Sequence, residues 1–323
     1  MNILLWHVHG AWTTAFVQGG HQYLVPVTPE RGPYGLGRAA TYPWPATVVE
    51  RTPAELARAD IDVVVLQRPQ ELALASQWLG RSVGIGREVP AVYVEHNTPR
   101  GDVPDTRHPM ADRDDLLVVH VTHFNQLFWD CGATPTTVVE HGVPAPAASY
   151  TGELPRLGVA TNEPVRRWRV TGTDLYPRLA EAAPLDVFGM GLAGLADRVG
   201  LGPDRLALHD DLPQARMHAQ LSRRRVYLHL TRWTSLGLSL LEAMAMGMPV
   251  VALATTEAVA AVPPGAGVTA TDVDQLVDAA RWLVEDTAAA HRLGAAARAT
   301  ATTRYGVGRF LADWDRVLKE VDR

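Results

Sequence analysis

Short apolar runs of strand length alternate with helical segments along this chain. The first apolar run covers residues 3–8, a helical stretch follows over 12–18, and a second apolar run covers 23–27. Continuous apolar strands separated by helices are typical of a parallel sheet covered on both faces, because each crossover returns the chain to the same edge. The sequence therefore predicts an α/β protein built from Rossmann-like βαβ units.

The alternation breaks once. Residues 145–149 read Ala-Pro-Ala-Ala-Ser and have no periodicity, which is typical of a linker. We therefore expect a Rossmann-like domain over 1–146 and a second one over 147–305, followed by an amphipathic helix over 310–321. Open α/β sheets bind ligands beyond the carboxyl ends of their strands, so the ligand is expected between the domains.

Apolar runs and helix signals set the expected elements of each domain. In the first domain, strands are expected at 3–8, 23–27, 46–49, 61–66, 91–94 and 115–121, and helices at 12–18, 53–59, 69–79 and 124–131. In the second, strands are expected at 157–160, 185–188, 206–208, 226–230 and 249–253, and helices at 174–182, 212–222, 236–246, 272–285 and 287–303.

Composition excludes several classes of protein. Thirty basic and 35 acidic side chains give a formal net charge of −5, which argues against a nucleic-acid partner. Cys131 is the single cysteine and no Cys/His cluster has zinc spacing, so we expect no metal and a reducing cytoplasmic location.

Residues 1–8 lack the basic start of a signal peptide, and Glu257 and Pro263-Pro264 interrupt the long apolar tract around them. No transmembrane segment is expected, whereas peripheral membrane contact stays open.

Residues 235–252 form the most informative segment. Ser235 provides a hydroxyl start, an apolar helix follows, Gly247 ends it, and Pro249 leads directly into a strand. Glu242 is the one polar residue in the second half of that helix. A carboxylate in such a segment needs a partner, which is either a neighbouring Arg or backbone amide or a pair of ligand hydroxyls.

This segment resembles the E-x7-E region of retaining glycosyltransferases of family 4 (group 1), which have the GT-B fold of two Rossmann-like domains facing across a cleft. The resemblance implies that Glu242 binds the ribose of a nucleotide sugar. The family's first Glu contacts the donor sugar, and Thr234 occupies that position here, so an uncharged hydroxyl replaces a carboxylate. The matching residues are Gly237, Glu242, Ala243, Met244, Ala245, Gly247 and Pro249.

The start of the same helix is a candidate diphosphate site. Ser235, Gly237, Leu238 and Ser239 form this start. A helix N-terminus offers free N–H groups and the positive end of the helix dipole to an anion. We therefore predict that these residues bind the donor diphosphate.

Three further segments extend the resemblance over most of the chain. Residues 20–25 resemble the family's Gly-His-x-Val second strand, and His141-Gly142-Val143 stands where Asn-Gly-Val precedes the linker. Residues 305–310 resemble the segment by which GT-B chains return to the first domain. The resemblance implies that 306–323 form a helix that crosses back, with Trp314 and Leu318 packed there.

Candidate residues in the first domain also follow from the resemblance. His96 ends a strand and resembles the family's His beside the donor sugar, where it would assist catalysis; a purely structural histidine is the alternative. Gly10 follows the first strand and would let backbone approach phosphate or acceptor, or it is an ordinary tight turn. Trp12, Tyr34 and Trp44 line an acceptor site or are simply packed.

A basic loop opens the second domain. The family places an Arg and a Lys on the diphosphate there, and Gly172 matches its helix start, while Thr171 occupies the Lys position. We predict that two of Arg166, Arg167 and Arg169 supply the charge, with Arg166 and Arg167 as catalytic candidates and Arg169 in donor binding. A solvated basic loop is the alternative.

The segment from His209 to Leu212 follows a second-domain strand, where the family's base-binding loop lies. We therefore name His209 and Leu212 as donor-binding candidates; helix capping by Asp210 or Asp211 is the alternative.

Two other basic stretches are weaker candidates. Residues 223–225 are three arginines at the sheet end opposite the ligand edge, and we interpret them as a solvated helix terminus. Arg232 and Trp233 lie at a strand's carboxyl end and either line the donor pocket or pack.

The resemblance implies a retaining glycosyltransferase that needs no metal and no cofactor. Its donor would be a nucleoside diphosphate sugar and its acceptor a small molecule, a glycan or a lipid-linked hydroxyl. Arg side chains and a helix N-terminus would stabilise the departing diphosphate. Two alternatives stay open, namely a non-catalytic nucleotide-sugar-binding relative and a GT-B-fold epimerase or phosphorylase.

Overall fold

The computed structural model describes residues 1–39, 42 and 44–322. The chain divides into two compact units: unit 1 is Met1–Gly142 with Val307–Arg323, and unit 2 is Val143–Gly306. The first boundary precedes the Pro/Ala-rich stretch at 145–149. The reason is that the Val143 N–H donates to the Tyr305 carbonyl at 2.8 Å, which attaches this segment to the end of unit 2.

Unit 1 forms a parallel sheet, as the apolar runs predict. Its described strands are β1 (Asn2–Leu5), β2 (Gln22–Pro26), β3 (Val48–Arg51), β4 (Val63–Leu66), β5 (Ala91–Glu95), β6 (Leu117–His120) and β7 (Thr136–Val138). They lie in the order β3-β2-β1-β4-β5-β6-β7, and every pair is parallel. The helices between them are α1 (Gly10–Phe16), α2 (Pro53–Leu56), α3 (Gln70–Leu79) and α4 (His123–Phe128).

Unit 2 also forms a parallel sheet with helices between its strands. Its described strands are β8 (Leu154–Ala160), β9 (Leu185–Gly189), β10 (Leu206–Asp210), β11 (Arg224–His229), β12 (Val250–Leu253) and β13 (Gly267–Ala270), in the parallel order β10-β9-β8-β11-β12-β13. Its helices are α5 (Pro164–Arg167), α6 (Tyr176–Leu179), α7 (Leu195–Val199), α8 (Gln214–Leu221), α9 (Leu238–Met246), α10 (Ala258–Ala261), α11 (Val273–Glu285) and α12 (Thr287–Arg304). A 3₁₀ turn, Thr173–Leu175, precedes α6.

The last helix, α13 (Val307–Val321), packs on unit 1 through aromatic rings. The Trp12 ring stacks on Phe16 with centroids 4.9 Å apart and meets Trp314 edge-on at 5.6 Å. Trp314 and Leu318 are each 1% exposed. The strong amphipathicity of 310–321 therefore marks the face that is buried, although the helix begins three residues earlier than expected.

The interpretation of 223–225 as a solvated helix terminus is wrong for Arg224 and Arg225, whereas Arg223 follows the C-cap of α8 and is exposed. Arg224 and Arg225 begin β11, and Arg224 is 6% exposed. Its Nε donates to Asp186 Oδ2 at 2.8 Å, and Arg156 Nε donates to the same oxygen at 2.7 Å. Burial raises the pKa of Asp186, but the hydrogen bonds and charges of the two guanidinium groups outweigh burial and lower it.

Candidate functional site

Glu242 lies in the second turn of α9, and its carboxylate contacts α8. Gln214 Nε2 donates to Glu242 Oε1 at 2.9 Å, and His218 Nε2 lies 3.1 Å from Oε2. The Glu242 side chain is 12% exposed. A purely structural role predicted an Arg or a backbone amide as the partner of Glu242. These hydrogen bonds come from a glutamine and a histidine instead. The sequence signal for them is the four-residue spacing of Gln214 and His218, which places both on one face of a helix.

The start of α9 presents backbone rather than side chains. Gly237 is the N-cap with extended dihedral angles and no side-chain cap, so the first helical amides have no intrahelical acceptor. A Cβ at Gly237 would come 2.6 Å from Cε1 of His229, so this close approach requires glycine. Tyr227 OH donates to the Ser239 hydroxyl at 3.0 Å, and Ser239 Oγ is 3.3 Å from the Ala160 carbonyl. The amides of this turn are thus the groups it offers to an anion.

The other predicted residues of this turn differ in exposure. Ser235 is 5% exposed, Thr234 is half-buried, and Leu238 packs partly against the core under α9. Burial lowers the pKa of His229 to about 4, so this imidazole is neutral at pH 7.

The basic loop of unit 2 follows β8 and contains α5. Arg166 is paired with Glu163, and its side chain is 73% exposed. Arg169 Nη1 donates to Asp174 Oδ2 at 3.0 Å, and its side chain is 71% exposed. Arg167 is half-buried. The three predicted arginines thus lie on one short segment, and two of them already face a carboxylate.

Arg232 joins this loop from the end of β11. Its guanidinium contacts both oxygens of Asp174, at 2.5 and 2.9 Å, and also donates to the Arg169 carbonyl at 2.8 Å. Its backbone N–H donates to the Val170 carbonyl at 2.8 Å. Asp174 therefore pairs with both Arg169 and Arg232. Arg232 lies outside the basic loop, so the sequence of that loop did not indicate its contact with Asp174.

Gly172 lets the loop approach β11 closely. Its φ is +71°, and a Cβ there would lie 2.0 Å from the Leu230 carbonyl oxygen. Only glycine satisfies both conditions. Thr171 is 2% exposed, and its hydroxyl donates to the Trp168 carbonyl at 3.0 Å, so the residue in the family's Lys position points inward.

His209 lies in β10, rather than in the loop after it. Its ring stacks on Phe188 with centroids 4.3 Å apart, and Nε2 is 3.3 Å from Asp186 Oδ1. Leu212 packs partly against the core under α9. Helix α8 has Pro213 as its N-cap and no side-chain cap, so the alternative of capping by Asp210 or Asp211 is wrong.

His96 follows β5 in unit 1 and is 7% exposed. Its ring centroid is 4.0 Å from that of His9. Burial, with smaller contributions from His9 and His141, lowers the pKa of His96 well below its ordinary value. Its Nε2 is buried and has no hydrogen-bond partner in the described part of the chain. His96 is thus a neutral imidazole at pH 7.

A polar network holds the turn that carries His96. Glu95 Oε1 accepts from the Asn97 N–H at 2.6 Å, and Glu95 Oε2 lies 2.9 Å from His108 Nε2. The Asn97 carbonyl accepts from Trp129 Nε1 at 2.8 Å and from Asn125 Nδ2 at 3.1 Å. The position of His96 is therefore set by its neighbours on both sides.

Gly10 begins α1 and is covered by an aromatic ring. A Cβ there would lie 2.7 Å from Cε2 of Tyr42. Trp12 is 1% exposed, and Trp44, 6% exposed, donates from Nε1 to Thr14 Oγ1 at 2.9 Å. Tyr34 lies under the Arg68 guanidinium, 4.3 Å from its ring centroid. Trp12 and Trp44 are therefore packed in the interior of unit 1, which is one of the two alternatives that the sequence left open for them.

The segment that holds Glu242 is similar to a known protein family. Residues 198–300 match the family model of the glycosyl transferases, group 1. This segment runs from the end of α7 into α12 and contains the paired helices α8 and α9. The resemblance to the group 1 glycosyltransferases that the sequence indicated is confirmed. No curated protein sequence matches the chain.

Solved glycosyltransferase structures share the fold over the full length. Sucrose-phosphate synthase from Thermosynechococcus elongatus is 15% identical with a TM-score of 0.73, and the match covers 99% of both chains. HepE of Anabaena, in complex with UDP-glucose, is 16% identical with a TM-score of 0.69, covering 99% of this chain and 100% of HepE. A glycosyltransferase from Rickettsia africae is 12% identical with a TM-score of 0.68, covering 99% and 98%. The two parallel sheets therefore form a GT-B fold, as the resemblance implied.

In residues 1–39, 42 and 44–322, no group of three or more His, Cys, Asp or Glu side chains is arranged to hold a metal ion. Across the same residues, no helix has both the length and the apolar character needed to cross a membrane.

Proposed function

We propose that this protein is a retaining, metal-independent glycosyltransferase that uses a nucleoside diphosphate sugar, with UDP as the nucleotide. In the reaction, the bond between the anomeric carbon and the diphosphate breaks, and a bond from that carbon to an acceptor hydroxyl oxygen forms. The acceptor proton leaves with the diphosphate. The choice of UDP rests on the complexes of HepE with UDP, with UDP and glucose, and with UDP-glucose.

The environment of Glu242 carries this proposal. Glu242 is a half-buried carboxylate within an otherwise apolar stretch, and it belongs to the segment that matches the group 1 family. An ionised carboxylate has lone pairs beyond the two hydrogen bonds it accepts from α8. Vicinal ribose hydroxyls supply two donors with the spacing that suits a carboxylate. We assign Glu242 to the ribose.

The diphosphate would be bound by fixed positive groups. The amides of Gly237, Leu238 and Ser239 lack intrahelical acceptors, and the dipole of α9 adds positive potential at this point. Two of Arg166, Arg167 and Arg169 would add charge. Preorganised groups of this kind stabilise a departing anion without a metal. Ser235, Thr234, His209 and Leu212 remain our candidates for other donor contacts.

In unit 1 we retain His96 as the catalytic candidate and Gly10 as a backbone contact. A neutral imidazole with an unsatisfied Nε2 can exchange hydrogen bonds with a sugar hydroxyl without adding charge. The acceptor is a small molecule, a glycan or a lipid-linked hydroxyl.

Isothermal titration with UDP tests the proposal, first with EDTA and then with magnesium. We expect binding that EDTA leaves unchanged. Glu242→Gln should weaken it about tenfold or more, because hydrogen bonds to a charged acceptor contribute about 1.5–3 kcal/mol. Glu285→Gln, the same change at an exposed residue of α11, is the control and should bind like the wild type. Binding only with magnesium, or equal affinity of both variants, would contradict the assignment.

One observation favours a second candidate, a nucleotide-sugar-binding protein without turnover. Thr234 replaces the carboxylate with which the family contacts the donor sugar. This alternative predicts UDP-glucose binding with no release of UDP for any acceptor offered. Thr234→Glu should then produce measurable hydrolysis or transfer, whereas an active wild type would eliminate the alternative.

A further inference from the structure

We propose that His218 is a positioning residue that orients the Glu242 carboxylate for the ribose and so sets the preference for ribonucleotides. The inference rests on the proposed function, because it concerns how the ribose is recognised at that site. It begins from the pairing of His218 Nε2 with Glu242 Oε2 at 3.1 Å.

The two partners of Glu242 differ in burial. The His218 side chain is 9% exposed, whereas Gln214 is an exposed residue in the first turn of the same helix. An ionised carboxylate only accepts hydrogen bonds, so Nε2 of His218 carries the proton in this pair. His218 therefore fixes Oε2 from the buried side, and Oε1 faces an exposed side chain that a ligand can displace.

Fixing one oxygen defines the direction of the other. A carboxylate on a free side chain rotates about its last torsion, and ordering it on binding would cost free energy. With Oε2 held by an imidazole that is itself anchored in α8, the plane of the carboxylate is set before the ligand arrives. The hydroxyls of a ribose then meet an oriented pair of acceptors, which a deoxyribose cannot exploit.

Paired variants separate this positioning role from packing. His218→Leu keeps a buried apolar volume and removes the N–H, whereas His218→Gln retains an N–H donor near the position of Nε2. Arg216→Ala changes an exposed residue on the same helix and is the matched control. Each variant is titrated with UDP and with 2′,3′-dideoxy-UDP, and its thermal midpoint confirms that it is folded.

For the wild type we expect UDP to bind at least tenfold more tightly than the dideoxy analogue. His218→Leu should bring that ratio close to one through weaker UDP binding, with the affinity for the analogue unchanged. His218→Gln should restore most of the ratio, and Arg216→Ala should leave it intact.

Other outcomes overturn the inference. If His218→Leu weakens both ligands equally, His218 only supports packing; if it leaves both affinities unchanged, Glu242 needs no orientation. In either case the Glu242→Gln result still stands, so the proposed function survives. If the wild type binds neither UDP nor any other nucleoside diphosphate, the proposed function fails and the inference falls with it.

Discussion

At the scale of single residues, Gly172 ties the basic loop to the sheet. Its positive φ and the nearby Leu230 carbonyl impose separate requirements, because the first disfavours any L side chain and the second leaves no room for a Cβ. Gly200 has a similar φ of +68°, but a Cβ there would meet nothing within 4 Å. A side chain at Gly200 would therefore meet conformational strain alone, whereas a side chain at Gly172 would meet both strain and a steric collision.

We predict that Gly172→Ala destabilises the protein more than Gly200→Ala does. Gly200→Ala should lower the free energy of unfolding by about 1–2 kcal/mol through strain alone. Gly172→Ala adds a backbone collision that displaces the loop from β11, so its UDP affinity should fall as well. Urea denaturation and UDP titration of both variants check this. Equal destabilisation with intact binding would show that the loop moves without consequence.

At the scale of elements, the loop around α5 holds arginines in two distinct settings. Arg166 pairs with Glu163 at the surface, whereas Arg169 and Arg232 share Asp174. Exposed ion pairs contribute roughly 0–1 kcal/mol to stability, so releasing one to bind a diphosphate costs little. If the loop binds a diphosphate as proposed, an arginine that leaves Glu163 or Asp174 for a phosphate sacrifices little stability.

Alanine variants of the loop test where the diphosphate binds. Replacing Arg166, Arg167 and Arg169 singly should weaken UDP at one or two positions by about 1.5–3 kcal/mol and leave uridine binding unchanged. Arg178→Ala on α6, an exposed arginine paired with Glu181, is the control. A uniform response of all variants, or equal losses for UDP and uridine, would place the phosphates elsewhere.

Elements with a strong sequence pattern were predictable, whereas several short helices without one were not. The apolar runs of β4 and β5 and the Gly-ended helix α9 lie close to their expected positions. Helices α5, α7 and α10 have four or five residues, too few for a helical period to show. The expected strand at 249–253 was found, but the edge strand β13 after it was missed.

In the candidate site, too, local sequence patterns predicted some residues, whereas contacts between distant segments were not predictable. Glu242 was recognisable because a single carboxylate interrupts an apolar helix, which is a local signal. Its contacts with Gln214 and His218 depend on how two helices pack, and Arg232, in the loop after β11, contacts Asp174 in the distant 3₁₀ turn before α6. The spacing of Gln214 and His218 places both on one face of α8, but no spacing within a segment encodes which other helix that face contacts.

At the scale of the whole molecule, buried neutral histidines are concentrated in unit 1. Burial lowers the pKa of His9 to about 4, lowers that of His120 and His141 to about 3, and holds the pKa of His96 well below its ordinary value. In the described part of unit 2, His229 shows the corresponding shift. Each of these groups binds a proton in the unfolded chain at a higher pH than in the folded one.

The sign of the pH effect follows from these shifts. Between about pH 6.5 and pH 4 the unfolded state binds more protons than the folded state, so stability is complete above that window and decreases as the pH falls through it. Each depressed histidine contributes a slope of up to about 1.4 kcal/mol per pH unit. With more such groups, unit 1 should lose stability faster than unit 2 on acidification.

Hydrogen exchange read by mass spectrometry at pH 7 and pH 5, corrected for intrinsic rates, measures the two units separately. We expect amides in β1, β4 and β5 to lose more protection at pH 5 than those in β8, β11 and β12. His120→Asn removes one depressed group from unit 1 and should reduce that difference, whereas His291→Asn, at an exposed residue of α12, should not. Parallel losses in both units would mean that acidic groups, rather than the buried imidazoles, govern the response to acid.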